Sequence, residues 1–187
     1  MFFVERELTL RKFLFLILYY GFFRFLPESN TRIRFVGKVS RRMRGWCCKH
    51  IFFYCGPNVN IHRKAHFGKG DKISIGANSG IGENCSVPNG TTIGDNVMMG
   101  PNCLILSQNH KTDRTDIPMI EQGMTEVKPC VIEDDVWIGI NVTMTPGRHI
   151  RKGTIIAAGT VLCKDFSEYS VVGGNPSRLI KSRLVDG

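Results

Sequence analysis

Acidic residues are scarce in the first third of this 187-residue chain: residues 1–64 hold 3 Asp/Glu against 13 Lys/Arg, whereas residues 65–187 hold 13 against 12. The net charge of +9 therefore belongs to one end of the molecule, a distribution that speaks against a nucleic-acid-binding surface running over the fold. Cys-x-x-Cys pairs are absent and the seven cysteines are odd in number, so a zinc knuckle or a disulfide framework is a poor reading. Reduced thiols in a cytoplasmic protein fit better. Neither a Walker phosphate loop nor a dinucleotide fingerprint occurs. Long apolar runs are also missing: the uncharged stretch 13–23 is too brief to span a bilayer. Phe22, Phe23, Arg24 and Phe25 lie where a secretory signal would place small residues.

What the N-terminal part does hold is a helix-compatible apolar stretch over residues 5–26, stopped by Pro27 and flanked by Arg6, Arg11, Lys12 and Arg24. Two readings stay open for it. It packs on its own domain or a neighbouring subunit, or it lies on the cytoplasmic face of a membrane, where aromatic and cationic residues anchor well. Residues 1–50 are taken as this basic helical segment, within a length that suits one domain with an appendage.

From Ile75 the chain divides into units of six: IGANSG, IGENCS, VPNGTT, IGDNVM, MGPNCL and ILSQNH, then, after a break, IEDDVW, IGINVT, MTPGRH, IRKGTI, IAAGTV and LCKDFS. All twelve units open on Ile, Leu, Val or Met. A period of six fits neither an amphipathic helix nor an alternating hairpin, but it fits a brief strand followed by a corner. The first and fifth positions are read as inward, and the Gly at the second and Asn or Gly at the fourth as residues chosen for special backbone conformations. Three units make one triangular coil of a parallel β-helix, which buries its face only by stacking on the next.

This pattern resembles the left-handed β-helix acyltransferases of the hexapeptide-repeat family, from about Asn58 to the C-terminus. The tail VVGGNPSRLIKSR, the segment IGDNVMMGPN and the QNH before the break look most like the sugar and polysaccharide O-acetyltransferases, the maltose, galactoside, colanic-acid and capsule enzymes among them. The resemblance implies an all-β, left-handed parallel β-helix over 51–167 with an excursion at 111–125, an N-terminal helical segment, and a C-terminal tail at 168–187 with a short helix. It also implies a homotrimer with active sites in clefts between neighbouring solenoids, acetyl-CoA as co-substrate, a sugar or glycan acceptor, and neither a metal nor nucleic acid as partner.

The repeat fails at one place. ILSQNH ends at His110, and the frame resumes only near Glu126, so the stretch KTDRTDIPMIEQGMT should loop out and wall a cleft. Transfer of an acyl group from a thioester to a hydroxyl needs a base, and imidazole has a suitable pKa. His110 stands where the family has its catalytic histidine. Asn84, Asn102 and Asn109 are either substrate or oxyanion contacts or corner residues tolerant of left-handed backbone. Asp113 or Asp116 can orient the imidazole, or stand solvated in the loop. Gly80 occupies a register near which galactoside-type relatives carry an active-site asparagine. Matching WIGIN, IAAGTVLCKD and GNPSRLIK to the family assigns the CoA arm to Ile140, Ala158 and Cys163 and its phosphates to Lys164, Arg178 and Lys181. Trp137 is a wall residue of the coil or a flank of the cofactor.

Rivals on the same scaffold are weaker. A γ-type carbonic anhydrase needs a second histidine five residues from the first, and positions 105 and 115 are Ile and Thr. Acetyl transfer to serine or to an antibiotic keeps the chemistry and changes the acceptor. A non-catalytic trimeric binding scaffold is the remaining alternative, and His110 argues against it.

Overall fold

The structure, a computed structural model, describes residues 10–184. Arg6 and the first residues of the expected helix lie outside that range, as do residues 185–187 of the tail. The solenoid has three faces built from two-residue strands. The first stacks Tyr54–Cys55, Ser74–Ile75, Thr92–Ile93, Val131–Ile132 and His149–Ile150 in parallel register. On the second face, Asn60–Ile61 pairs with Gly80–Ile81, and Met98–Met99, Trp137–Ile138, Ile155–Ile156 and Ser170–Gly173 continue the stack. The third runs through His66, Ser86, Leu104–Ile105, Thr143–Met144 and Val161–Leu162.

Burial follows the repeat. Every opening residue, from Ile75 to Leu162, is buried, and so are the fifth residues Ser79, Cys85, Thr91, Val97, Cys103, Val136, Val142, Thr154 and Thr160. Each inward Ile or Val contributes about 1.5–3 kcal/mol by leaving water, which drives the stacking of coils. Fourth residues take left-handed backbone, as Asn78, Asn84, Asn96, Asn102, Asp135 and Asn141 show with φ between 56° and 58°. The second-position glycines do not. Gly139, for instance, is needed because a Cβ there would sit 2.6 Å from the backbone nitrogen of Ala158 on the next coil. Close stacking, and not backbone conformation, selects glycine at that position.

Two helices close the N-terminal end. Helix α1 (Leu10–Gly21) is followed by a 3₁₀ turn at Phe23–Phe25, and α2 (Arg34–Ile51) leads into the first coil. Tyr19 and Tyr20 of α1 donate hydrogen bonds to the carbonyls of Ala65 and Gly68, both at 3.0 Å, which ties α1 to the first coil. Arg44 of α2 is fully buried and donates to the carbonyls of Ile61 (2.6 Å), Leu26 (3.1 Å) and Pro27 (3.1 Å). Burial pulls its pKa down, but a guanidinium so bonded stays charged and fastens the inter-helix loop to the solenoid. Below it the Glu28 carboxylate bonds to the His62 ring, whose other nitrogen meets the Asn60 amide at 2.9 Å. No described helix is long and apolar enough to cross a membrane.

The C-terminal tail departs from the expected helix. Ser170–Gly173 adds a strand to the second face, and Arg178–Ser182 returns antiparallel against it. The last coil leaves Ile155–Ile156 as an open edge, and a β-branched pair, Val171 and Val172, completes it more favourably than a helix would.

Candidate active site

The excursion leaves the third face just after Ile105 and rejoins the first face at Val131. Its two arms pair with each other: Lys128 donates to the carbonyl of Ser107 (2.7 Å), Thr125 to that of Asn109 (2.8 Å), and Lys111 to that of Gly123 (3.0 Å). His110 thus sits in a hydrogen-bonded ribbon, opposite Met124, with its flanking residues pinned by backbone bonds. Residues alternate sides along a ribbon, so His110 and Met124 share one face while Asn109 and Lys111 lie on the other. The His110 side chain is exposed, and among the described residues no protein group hydrogen-bonds to its ring.

Asp113 and Asp116 lie beyond the paired arms, and both are exposed. Asp116 is engaged by Arg114, whose guanidinium bonds both carboxylate oxygens and holds the carboxyl below its ordinary value. That carboxylate is occupied, whereas Asp113 and Glu121 have no side-chain partner among the described residues. Gln122 closes the tip by accepting from the backbone of Arg114 at 3.1 Å and donating to its carbonyl at 2.8 Å.

Ile140, Ala158 and Asn84 lie along a different edge, whereas Cys163 and Lys164 follow the third-face strand on the edge from which the excursion departs. Ile140 and Ala158 occupy successive coils at the corner between the second and third faces, joined by a bond from Gly159 N–H to the Ile140 carbonyl at 2.8 Å. Both are exposed. Asn84 belongs to the same corner, one of a stack of left-handed asparagines in which its amide donates to Asn102 at 3.0 Å. Cys163 and Lys164 end the third face, both exposed; the Cys163 N–H donates to Ser177 Oγ at 3.2 Å, and Lys164 lies 5.4 Å from the Phe166 ring. Arg178 and Lys181 face Gly173 and Val171 across the hairpin. Those partners are two residues apart, hence on one side of their strand, and the bulge at Ile180 brings both cations to that side. Trp137 stands half exposed in the wall of the second face, paired between Met98 and Ile155.

Two candidate half-sites therefore lie at opposite edges of the third face: the His110 ribbon, with Cys163 and Lys164 ending the strand on that side, and the corner with Ile140, Ala158 and Asn84 on the other. Cavities of about 460 and 470 Å³ lie elsewhere, against α2 and the loop before it. Among the described residues no group of three His, Cys, Asp or Glu side chains is placed to hold a metal. The inward Cys130 is a poor nucleophile, since burial pushes its thiol up to about 12.

Residues 72–107 and 129–164 match the model of the bacterial transferase hexapeptide (six repeats), on either side of the excursion. A putative acetyltransferase of Saccharomyces cerevisiae, YJL218W, is 36% identical over 158 residues, covering 83% of this chain and 77% of its own. The chain belongs to the hexapeptide-repeat transferase family. Within that family it lies on the sugar O-acetyltransferase branch: the galactoside O-acetyltransferase of Escherichia coli is 30% identical over 135 residues, 71% of this chain and 65% of that one. A solved galactoside acetyltransferase in complex with coenzyme A superposes with a TM-score of 0.73 at 26% identity, covering 97% of this chain and 85% of that structure. The solenoid is the left-handed β-helix of these acetyltransferases, and the protein is an acyltransferase.

The basic character of residues 1–50 was read from the sequence, but α2 as a separate helix and the burial of Arg44 were not, because no repeat or motif marks them. The engagement of Asp116 by Arg114 was equally hidden. Their spacing of two residues is legible, but only the loop geometry makes them partners.

Proposed function

We propose that this protein transfers the acetyl group of acetyl-CoA to a sugar hydroxyl of a glycan or polysaccharide precursor, with His110 as general base. The observation that supports this reading is the ribbon: the backbone on both sides of His110 is pinned by paired hydrogen bonds, and its imidazole is exposed where the excursion departs from the coil. The neutral ring takes the proton of the acceptor hydroxyl as its oxygen attacks the thioester carbonyl carbon. The tetrahedral adduct then expels the CoA thiolate, which is protonated as it leaves. No covalent enzyme intermediate is needed, in keeping with the burial of the inward cysteines.

Solved relatives carry coenzyme A or acetyl-CoA. Here the pantetheine arm is assigned to the exposed corner of Ile140 and Ala158, which offers peptide groups, and to Cys163 at the other end of the third-face strand, and Lys164, Arg178 and Lys181 supply cations for the phosphates. Asn84, Asn109 and Asp113 are assigned to the acceptor. Because the two half-sites lie on opposite edges of one face, a homotrimer completes them by setting the ribbon of one protomer against the corner of the next. Seven free cysteines accord with a reducing, cytoplasmic setting.

The test is release of CoA thiol with a panel of sugar acceptors. The wild-type chain should release thiol with at least one of them, and His110→Ala should lose about 10²–10⁴-fold of that rate while keeping its oligomeric state. Full turnover by His110→Ala would remove the catalytic assignment.

A further inference from the structure

Helix α1 is apolar on both sides. Its inward residues Phe15, Leu16, Tyr19 and Tyr20 pack on the core, whereas Leu10, Phe13, Leu14, Ile17 and Leu18 form a second stripe at the i, i+3, i+4 spacing of one helix face, and all five are exposed. Helix α2 repeats the arrangement with Phe35, Val39, Met43 and Trp46, again exposed. Where the helices meet, the Phe15 ring lies edge-on to Trp46 of the α2 stripe at 4.9 Å and stacked on His50 at 4.2 Å. The apolar surfaces of the two helices thus adjoin. Leu10 and Phe35 keep 76% and 75% of their surface in solvent, far from the behaviour of residues that have a partner among the described residues.

Charge borders this surface on one side. Lys38, Arg42 and Lys49 each follow an apolar stripe residue (Phe35, Val39 and Trp46) by three positions, so they form a parallel row along the edge of the stripe. With Arg41 and Trp46 they line a cavity of about 460 Å³. Residues 10–27 and 34–53 contain no Asp or Glu, against nine Lys or Arg. An apolar plane edged by a cation row and free of acids complements one surface in particular, an anionic bilayer whose acyl region accepts the aromatic and aliphatic side chains and whose phosphates accept the cations. Symmetric pairing with a second copy would bring the same cation row against itself, a like-charge juxtaposition that disfavours it.

We infer that α1 and α2 together form a membrane-docking platform for an anionic lipid surface, with the Lys38, Arg41, Arg42 and Lys49 cavity receiving lipid phosphate. The platform stands apart from His110 and its assignment is independent of acetyl transfer.

Flotation of the full chain with vesicles tests it. The protein should float with phosphatidylcholine vesicles that contain phosphatidylglycerol, much less with phosphatidylcholine alone, and be partly released as salt rises. In a Trp137→Phe background the emission of Trp46 should shift to the blue on anionic vesicles. The triple variant Lys38→Glu, Arg42→Glu, Lys49→Glu should weaken partitioning by about 100-fold or more, from about 1 kcal/mol per cation. Phe13→Ser with Ile17→Ser should abolish the binding that survives high salt. Both variants touch exposed positions, so circular dichroism and thiol release on a soluble sugar should be unchanged, which separates failure here from failure of the acetyltransferase reading. Absence of flotation by the wild-type chain would overturn the inference, as would variants that float like it. A change in oligomeric state for Phe13→Ser with Ile17→Ser would also overturn it, by showing the stripe to be a subunit seam.

Discussion

Among the cysteines, position decides chemistry. Burial pushes the Cys47 and Cys130 thiols up to about 12 and the Cys55 thiol to about 11, so none of these is a thiolate at neutral pH. Cys163 is exposed and shifts the other way, its thiol lowered chiefly by hydrogen bonding to the Ser177 side chain, 3.4 Å away. A maleimide at neutral pH should modify Cys163 about 10-fold or more faster than the buried thiols, a difference that peptide mapping resolves. The same experiment reports on the CoA edge. Saturating acetyl-CoA should slow the labelling, and labelling indifferent to acetyl-CoA would contradict the placement of Cys163 beside the pantetheine arm.

At the scale of the coil, the second-position glycines keep successive rungs in contact. Gly139→Ala puts a Cβ 2.6 Å from backbone of the next coil, which must shift; the expected cost is about 1–3 kcal/mol, seen as a melting temperature lowered by several degrees. Gly21→Ala, at the end of α1 with open space around it, is the control and should not destabilise. An unchanged melting temperature for Gly139→Ala would contradict the stacking argument. The solenoid was legible in the sequence because its inward positions fall on a strict period, and Ile75 through Leu162 are buried where that period puts them. The reason for the glycines was not legible, since contact with a neighbouring coil is long-range while a preference for left-handed backbone is local. Asn84 and Asn102 illustrate the local case, with φ of 56° and 58°. The tail shows the opposite outcome. A strand edge left open by the last coil, invisible in the local pattern of NPSRLIKSR, drew Ser170–Gly173 and Arg178–Ser182 into a hairpin in place of the expected helix. Of the candidate site, the position of His110 at the start of the excursion was legible from the break in the repeat, but the separation of His110 from Ile140, Ala158 and Asn84 by the width of a face follows only from how the coils fold.

The whole molecule ends in two unlike surfaces: a capped N-terminus bearing apolar and basic helices, and a solenoid whose third face holds half-sites on its two edges. In the proposed trimer that separation is the basis for a catalytic centre shared between protomers. The direct test mixes two inactive chains. His110→Ala removes the base but leaves the CoA corner, and Ala158→Trp blocks the corner but leaves the base; each should be inactive alone in thiol release. Unfolded together and reassembled, they should recover about a quarter of wild-type activity, the fraction of neighbouring pairs that combine an intact ribbon with an intact corner on random assembly. A mixture as inactive as its parents, with assembly intact, would contradict the shared site.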